Sequence, residues 1–232
     1  MLLVWDEPGK RFYETGVEQC ALYPMTNGVY DAGVAWNGLT SVEENPEGGE
    51  DTPIWADDLE YLSLRSREKY KATINAYTYP EEWAECDGSK TIVKGLKAGQ
   101  QARKKFGLVY KTLIGNDTQG EEAGYKIHIV YNASAAVSQK SHQTVNETPE
   151  AMEMSWEISA ASIKVGVLNN IALKPLATLE IDSRDFANEA GKAKLTALEN
   201  ALFGTDPDPQ DPQSEGTDPT LPSPAEVLGL LQ

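Results

Sequence analysis

The sequence predicts a mainly β protein, an antiparallel β-sandwich or partial barrel with one packed α-helix. Apolar and polar residues alternate with period two in several segments, turn signals separate those segments, and only one long segment has helical spacing. Many short strands with intervening turns are typical of sandwiches and barrels rather than of parallel α/β sheets.

The alternation is clearest in four segments, because each places one set of side chains on each face of a strand. In 152–159, Met152, Trp156 and Ile158 alternate with Glu153 and Glu157. The other three segments are 70–77, 125–131 and 177–182. Further strands are predicted at 17–23, 32–36, 60–66 and 106–114, between turn signals such as those at 27–28 and 87–88.

One helix is predicted over 187–203, where Leu195, Leu198 and Leu202 recur at helical spacing and Gly204 offers a C-terminal stop. A short helical turn is predicted at 81–84. We expect both to pack on the sheets.

Two segments are predicted to be irregular. Residues 41–58 read as a long acidic loop with the apolar pair Ile54-Trp55, and exposed aromatic residues on a long loop suggest docking onto a partner. Residues 205–226 are rich in Pro, Asp, Ser and Gln and contain no Lys or Arg, so they cannot bury enough apolar surface to become ordered. The predicted division is therefore a β-sandwich domain over 1–204 and a disordered acidic tail over 205–232.

The charge excludes one class of function. The chain carries 36 acidic and 20 basic residues, a formal net charge of −16. Binding of nucleic acid through its phosphates requires clustered Lys and Arg, so the charge argues against it. The first residues lack the basic region of a signal peptide and no run reaches membrane-spanning length, so we expect synthesis in a cytoplasm and no membrane binding.

No catalytic, cofactor or metal site is predicted, and we expect no enzyme activity. Cys20 and Cys86 lie far apart without a CxxC motif, which is typical of reduced thiols. His128 and His142 have no convergent set of partners, so neither is assigned a role. The oxygen-rich segment 116–122 resembles a calcium loop only faintly, and a hairpin turn between 106–114 and 124–131 explains it better.

Two alternatives stay open at this point. Trp36, Trp55 and Trp83 permit a carbohydrate-binding β-sandwich, because aromatic rings stack on sugars. Acidic pairs such as Asp57/Asp58 would be needed for a glycosidase, but adjacent acids in a strand or loop point apart, and an acidic chain contains such pairs by chance.

A basic cluster stands out in this acidic chain. It lacks the interleaved aromatic residues of a nucleic-acid site, and a solvated face is as good an interpretation as any specific role. Among the specific roles, self-association is preferred, because the cluster would complement the acids at 41–60 on a neighbouring copy. Its members are Lys94, Lys97, Arg103, Lys104 and Lys105.

Four stretches of the sequence resemble the major tail protein, or tail tube protein, of long-tailed bacteriophages and related prophages: 29–42, 72–88, 106–118 and 124–131. The segments 154–157 and 177–183 follow in the same order, and the resemblance covers about residues 1–204. It implies a β-sandwich whose copies form sixfold rings that stack into a tube, with DNA as passing cargo. The implied partners are further copies of the chain and the tape measure, tail terminator and baseplate proteins, and the implied location is the virion tail, after assembly in the host cytoplasm. A baseplate or terminator ring protein is the nearest alternative.

This resemblance gives the predicted segments roles. Strand edges that are unpaired in the monomer would join a neighbour's sheet and close a ring-shaped barrel. The acidic loop is predicted to contact the next ring, with the basic cluster as its complement, through Glu43, Glu44, Glu47, Ile54, Trp55, Asp57 and Asp58. Acids facing the lumen would keep phosphate from adhering, and the predicted ones are Glu153, Glu157, Glu180 and Asp182.

Overall fold

Strands dominate the computed structural model, which describes residues 2–140, 142, 144, 151–207 and 215–232. The predicted fold class is confirmed: the sheets are antiparallel, the helices are few, and the main sheet does not close on itself within one chain. No helix in these ranges is both long and apolar enough to cross a membrane. The elements are β1 (Phe12–Thr26), β2 (Val29–Tyr30), β3 (Val34–Trp36), β4 (Leu39–Glu44), β5 (Asp51–Ala56), β6 (Leu59–Arg65), β7 (Tyr70–Ala76), α1 (Trp83–Cys86), β8 (Lys90–Val93), β9 (Leu96–Ala98), β10 (Phe106–Asn116), β11 (Gly120–Ala135), β12 (Met154–Ala160), β13 (Val167–Leu168), β14 (Ile171–Ala172), β15 (Thr178–Asp182), α2 (Glu189–Phe203) and α3 (Pro224–Leu231).

The main sheet is folded into two layers, with strand order β2-β1-β10-β11-β12-β7-β4, β15 on β11 and β3 on β1. The long strand β11 serves both layers. Its residues 126–130 pair with β15, whereas 133–135 pair with β12. Asn132, in the left-handed region with φ 52°, marks the change of partner.

An aromatic core fills the space between the two layers. The rings of Trp36 and Trp83 lie 4.6 Å apart, Trp156 lies 5.6 Å from each of them, and Phe106 lies 5.0 Å from Trp83. Trp156 and Ile158 are buried while Glu157 between them is exposed, as the period-two pattern predicted.

A second core lies on the other face of β1, β10 and β11, beneath α2 and α3. The predicted helix is confirmed: Leu195, Leu198 and Leu202 are buried, and Gly204 is the C-cap with φ 76°. One ion pair also joins α2 to the sheet, because Nζ of Lys111 lies 2.6 Å from Oε1 of Glu199.

The C-terminal segment differs from the prediction of a disordered tail over 205–232. Leu221 and Val227 are buried in the second core, the Tyr131 hydroxyl donates to the Pro222 carbonyl at 2.9 Å, and α3 begins with a capping box at Ser223. The compositional argument fails for 215–232 because its few apolar residues need only cover a surface that the rest of the chain provides. Residues 208–214 of the predicted tail lie outside the described residues.

Candidate functional site

One layer of the sandwich has an outward face that no element of the described chain covers. This layer, termed the open sheet, consists of β4, β7, β12 and the end of β11 from Ala133 onward. Its inward face packs on the aromatic core, while α2 and α3 cover the other layer. The outward face is entirely polar and presents Ser41, Glu43, Lys71, Thr73, Asn75, Ser155, Glu157 and Ser159.

Two of the predicted lumen acids belong to the open sheet. Glu157 is exposed and opposes Thr73, which in turn opposes Glu43 on β4. Glu153 lies just before β12 and accepts a hydrogen bond from the Thr40 hydroxyl. The single lysine of the outward face, Lys71, is paired with Glu47, so the uncompensated charge of this face is negative.

The other two predicted lumen acids lie in the second layer, so the four acids do not share a face. Oε1 of Glu180 lies 3.1 Å from Nζ of Lys126, and that nitrogen also contacts Glu14 at 2.8 Å. Asp182 pairs with Arg184 at 2.5 Å, and the hydrogen bond from Arg184 holds the pKa of Asp182 below its ordinary value. Asp182 is therefore paired within its own chain, whereas Glu180 shares the ammonium group of Lys126 with Glu14.

A cluster of polar side chains surrounds Glu14. It accounts for the alternation of polar and apolar residues in β11 and β15, which resembles the alternation in the open sheet. Burial tends to raise the pKa of Glu14, but hydrogen bonds from Lys126 and Thr112 outweigh it and leave the pKa below the ordinary value. His128 lies in the same cluster, stacked on Tyr110 at 4.7 Å and 2.9 Å from the Thr112 hydroxyl. These polar side chains form ion pairs and hydrogen bonds with one another, while Glu14 and Glu180 also remain exposed to solvent.

Both edges of the open sheet lack a partner strand within the described ranges. On β4, the amide of Asn45 donates to Lys71 at 2.8 Å, so by antiparallel alternation Val42 and Glu44 direct their backbone groups outward. A cavity of about 480 Å³ lies between the start of β4 and β1. The second edge is the end of β11, where the amide of Ala136 donates to Glu157 at 2.8 Å, so the backbone groups of Val137 point away from β12.

The predicted irregular loop over 41–58 is wrong, because its residues belong largely to strands. Residues 41–44 lie in β4, and β5 pairs with β6 as a separate two-stranded hairpin. Sequence reasoning recognised the second strand of this hairpin but not the first, since Pro53 and the acids on both sides of β5 weaken its strand pattern.

The β5–β6 hairpin exposes large apolar side chains on both of its faces. Trp55 is 65% exposed, Leu59 70% and Tyr61 71%, and Ile54 is also exposed. A two-stranded hairpin is marginally stable in water by itself, and exposed apolar groups of this size mark interaction surfaces. The docking role predicted for Ile54 and Trp55 therefore falls on a projecting hairpin rather than on a loop.

The basic cluster is divided by the fold. Lys94 and Lys97 lie on a second small hairpin, β8–β9, whereas Arg103 and Lys105 lie on the segment leading into β10. Lys104 is engaged within its own chain, 2.5 Å from Oε2 of Glu85, and that hydrogen bond raises the pKa of Lys104.

The structure also locates the residues that were considered for binding sugar, calcium or another metal ion. Trp36 and Trp83 are 2% and 0% exposed and offer no ring face to a sugar. The side chain of Asn116 accepts hydrogen bonds from the amides of Thr118 and Gln119, which confirms the turn predicted between β10 and β11. Among the described residues, no group of three or more His, Cys, Asp or Glu is arranged to hold a metal ion.

Comparisons with known proteins give matches among solved structures. No protein-family model matches the chain, and no curated protein matches it. Among solved structures, the chain is similar to an extracellular contractile injection system, the PVC sheath–tube complex in its extended state, determined by cryo-electron microscopy. The two are 12% identical, with 77% of this chain and 93% of the other covered and a TM-score of 0.32.

Proposed function

We propose that the chain is a noncatalytic structural subunit that assembles with its own copies into rings, and that the rings stack into a tube like the tail tube of long-tailed bacteriophages. The observation that carries this proposal is the open sheet, whose two edges and polar outward face have no partner among the described residues. The resemblance of the four sequence stretches to tail tube proteins supports the same class.

The strand directions suit a ring. Neighbouring strands in the order β4, β7, β12 and β11 are antiparallel throughout, so β4 and β11 run in opposite directions. When the β4 edge of one copy meets the β11 edge of the next, the new pair is also antiparallel. Two different edges in contact make a head-to-tail interface, which generates a closed ring when the rotation between copies closes.

The outward face of the open sheet is the proposed lumen wall. With six copies, four strands from each would give a barrel of about 24 strands, and barrels of roughly 16–18 strands already leave an aqueous channel. Glu43, Glu153 and Glu157 would then repel the phosphates of passing DNA, over about 8 Å at physiological salt. Charge-reversing Glu157→Lys in the assembled particle is expected to slow DNA delivery, and an unchanged rate of delivery would contradict this placement of the wall.

The β5–β6 hairpin is proposed to form the contact between rings, because its apolar side chains lose water only when another surface covers them. In this proposal the tape measure protein occupies the lumen during assembly, and the terminator and baseplate proteins bind the two ends of the tube. The particle would assemble in the host cytoplasm and reside in the virion tail.

Negative-stain electron microscopy of the purified chain tests the proposed function. Tubes, or rings that lengthen into tubes with rising concentration, are the expected result. Single rings that never stack would instead assign the chain to a terminator or baseplate role. A monomer that binds glycans and forms no ring at any concentration would overturn the proposal in favour of a carbohydrate-binding module.

A further inference from the structure

A basic cavity lies at the root of the β5–β6 hairpin. Its volume is about 680 Å³, and its lining includes three cations, Arg65, Arg67 and Lys174, against one carboxylate, Glu68. Within the described residues, Arg67 and Lys174 form no salt bridge, and the one contact of Arg65 with Asp51 is long, at 3.8 Å. Two of the three cations, Arg67 and Lys174, thus have no carboxylate partner among the described residues, which is unexpected in a chain of net charge −16.

The tip of the same hairpin is acidic. Ala56 pairs with Leu59, so Asp57 and Asp58 form a two-residue turn, and Glu60 follows at the start of β6. Both aspartates occupy the left-handed region, with φ 52° and 61°. Asn-Gly and Asp-Gly suit such a turn better, because an L side chain at φ above zero carries a conformational cost. The tip thus retains two carboxylates at a position where a glycine would be favoured.

We infer that the acidic tip of one copy docks in the basic cavity at the hairpin root of a second copy. The occupant is a second copy because the tip and root of one hairpin lie at opposite ends of six paired residues, about 20 Å apart. The three carboxylates of the tip meet the three cations of the cavity. This inference rests on the proposed tube function, and it names the surface that receives the stacking hairpin.

Apolar groups flank the charges on both sides of the proposed contact. Trp55 and Leu59 are exposed beside the acidic tip. Leu173 is exposed and Pro175 lines the cavity, on either side of Lys174. Apolar cover of this kind lowers the local dielectric, which strengthens ion pairs that are weak on an open surface.

The geometry makes such a contact repeat. Because the donating tip and the receiving root are different parts of one chain, every copy that donates a tip still offers an empty root. The contact therefore extends from ring to ring without closing. The basic cluster predicted from sequence fits this role less well, since Lys104 is paired with Glu85 and the remaining members are spread over two segments.

A charge swap tests the inference. Asp57→Lys with Asp58→Lys reverses the tip, and Arg67→Glu with Lys174→Glu reverses the cavity. Each pair alone is expected to slow tube elongation by about tenfold at fixed protein concentration, because like charges then meet at every contact. All four substitutions in one chain restore attraction and are expected to recover most of the elongation rate.

Two matched controls separate charge from fold. Asp57→Asn with Asp58→Asn removes the tip charge but keeps residues that accept the left-handed region, so the turn is preserved and elongation is expected to slow less than with lysine. Lys94→Glu with Lys97→Glu makes the same reversal on the β8–β9 hairpin and is expected to leave elongation unchanged. Circular dichroism and urea denaturation confirm that each variant is folded.

The outcomes distinguish the inference from the proposed function. Rings that form but do not stack in the tip variant, and that stack again in the fourfold variant, support it. If folded tip and cavity variants elongate normally, or if reversing Lys94 and Lys97 rescues the tip variant, the inference is overturned while the tube function stands. A wild-type chain that forms neither rings nor tubes overturns both.

Discussion

Proline at the free end of β11 provides a direct test of ring closure. Val137 follows the end of β11, and because the amide of Ala136 donates to Glu157, alternation of an extended backbone directs the Val137 N–H away from β12; the Val137 side chain is 82% exposed. Val137→Pro therefore removes a donor that makes no hydrogen bond among the described residues and that a strand from another copy would use. Proline is tolerated on an edge strand when its missing N–H faces solvent.

The expected magnitudes differ sharply between monomer and ring. A backbone hydrogen bond contributes about 1 kcal/mol net, so six identical contacts lose about 6 kcal/mol per ring, which lowers the ring population by roughly 10⁴-fold. Within the described residues the Val137 N–H makes no hydrogen bond that the substitution would remove, and a proline that fits its position stabilises a fold by about 0.4–1 kcal/mol. We therefore expect an unchanged or slightly higher urea midpoint together with loss of rings.

Sedimentation velocity and electron microscopy measure assembly, and urea denaturation measures the monomer. Val137→Ala is the matched control, because it removes the side chain but keeps the N–H, and it is expected to assemble. Ala136→Pro removes an amide that the monomer does use and is expected to lower the urea midpoint. Normal rings from a folded Val137→Pro variant would refute the edge assignment, as would equal loss of rings with Val137→Ala.

Three further predictions concern charge. Glu199→Gln leaves Lys111, whose side chain is 9% exposed, without its carboxylate, and urea denaturation is expected to show a free energy of unfolding lower by about 3–5 kcal/mol. Adding Lys111→Met should recover most of this loss. A double variant as unstable as the single variant would contradict the reasoning. Arg184 holds the folded-state pKa of Asp182 below 3.8. Their pair therefore stabilises the fold above that pH, and the contribution is lost as the pH falls through the folded-state pKa. An acid titration followed by circular dichroism should show this loss in the wild type and not in Asp182→Asn. Raising the salt from about 0.01 M to 1 M shortens the Debye length from about 30 Å to 3 Å and should slow tube elongation, and equal rates at both salt concentrations would count against charged contacts between rings.

Local pattern was sufficient to predict most strands and the long helix. In β12, alternation alone places Trp156 in the core and Glu157 in solvent, and in α2 the spacing of Leu195 and Leu198 identifies the buried face. These assignments succeed because the information lies within a few residues of the element. The same holds for the turn at Asn116, whose side chain bonds to amides two and three residues along the chain.

The placement of strands in layers could not be predicted in this way. Glu157 and Glu180 occupy equivalent positions in two alternating segments, yet β12 lies in the open sheet and β15 in the layer beneath the helices. The difference arises from the pairing of β11 with both, a contact between residues distant in sequence. The basic cavity escaped prediction for the same reason, since Arg67 and Lys174 are separated by more than a hundred residues and meet only in the fold.

The residues at the two free edges indicate whether these edges are available for pairing with another copy. Proteins that remain monomeric protect edge strands with lysine, proline, bulges or covering elements. Residues 41–44 of β4 carry no lysine or proline and keep a regular register with β7, and residues 135–137 beside the other edge are alanine, alanine and valine. The opposite layer, by contrast, has its outward face sealed by two helices. Free edges with opposed directions on the open sheet, where the register shift of β4 between Leu39 and Ser41 lies outside the regular stretch 41–44, favour pairing between copies in a single defined geometry.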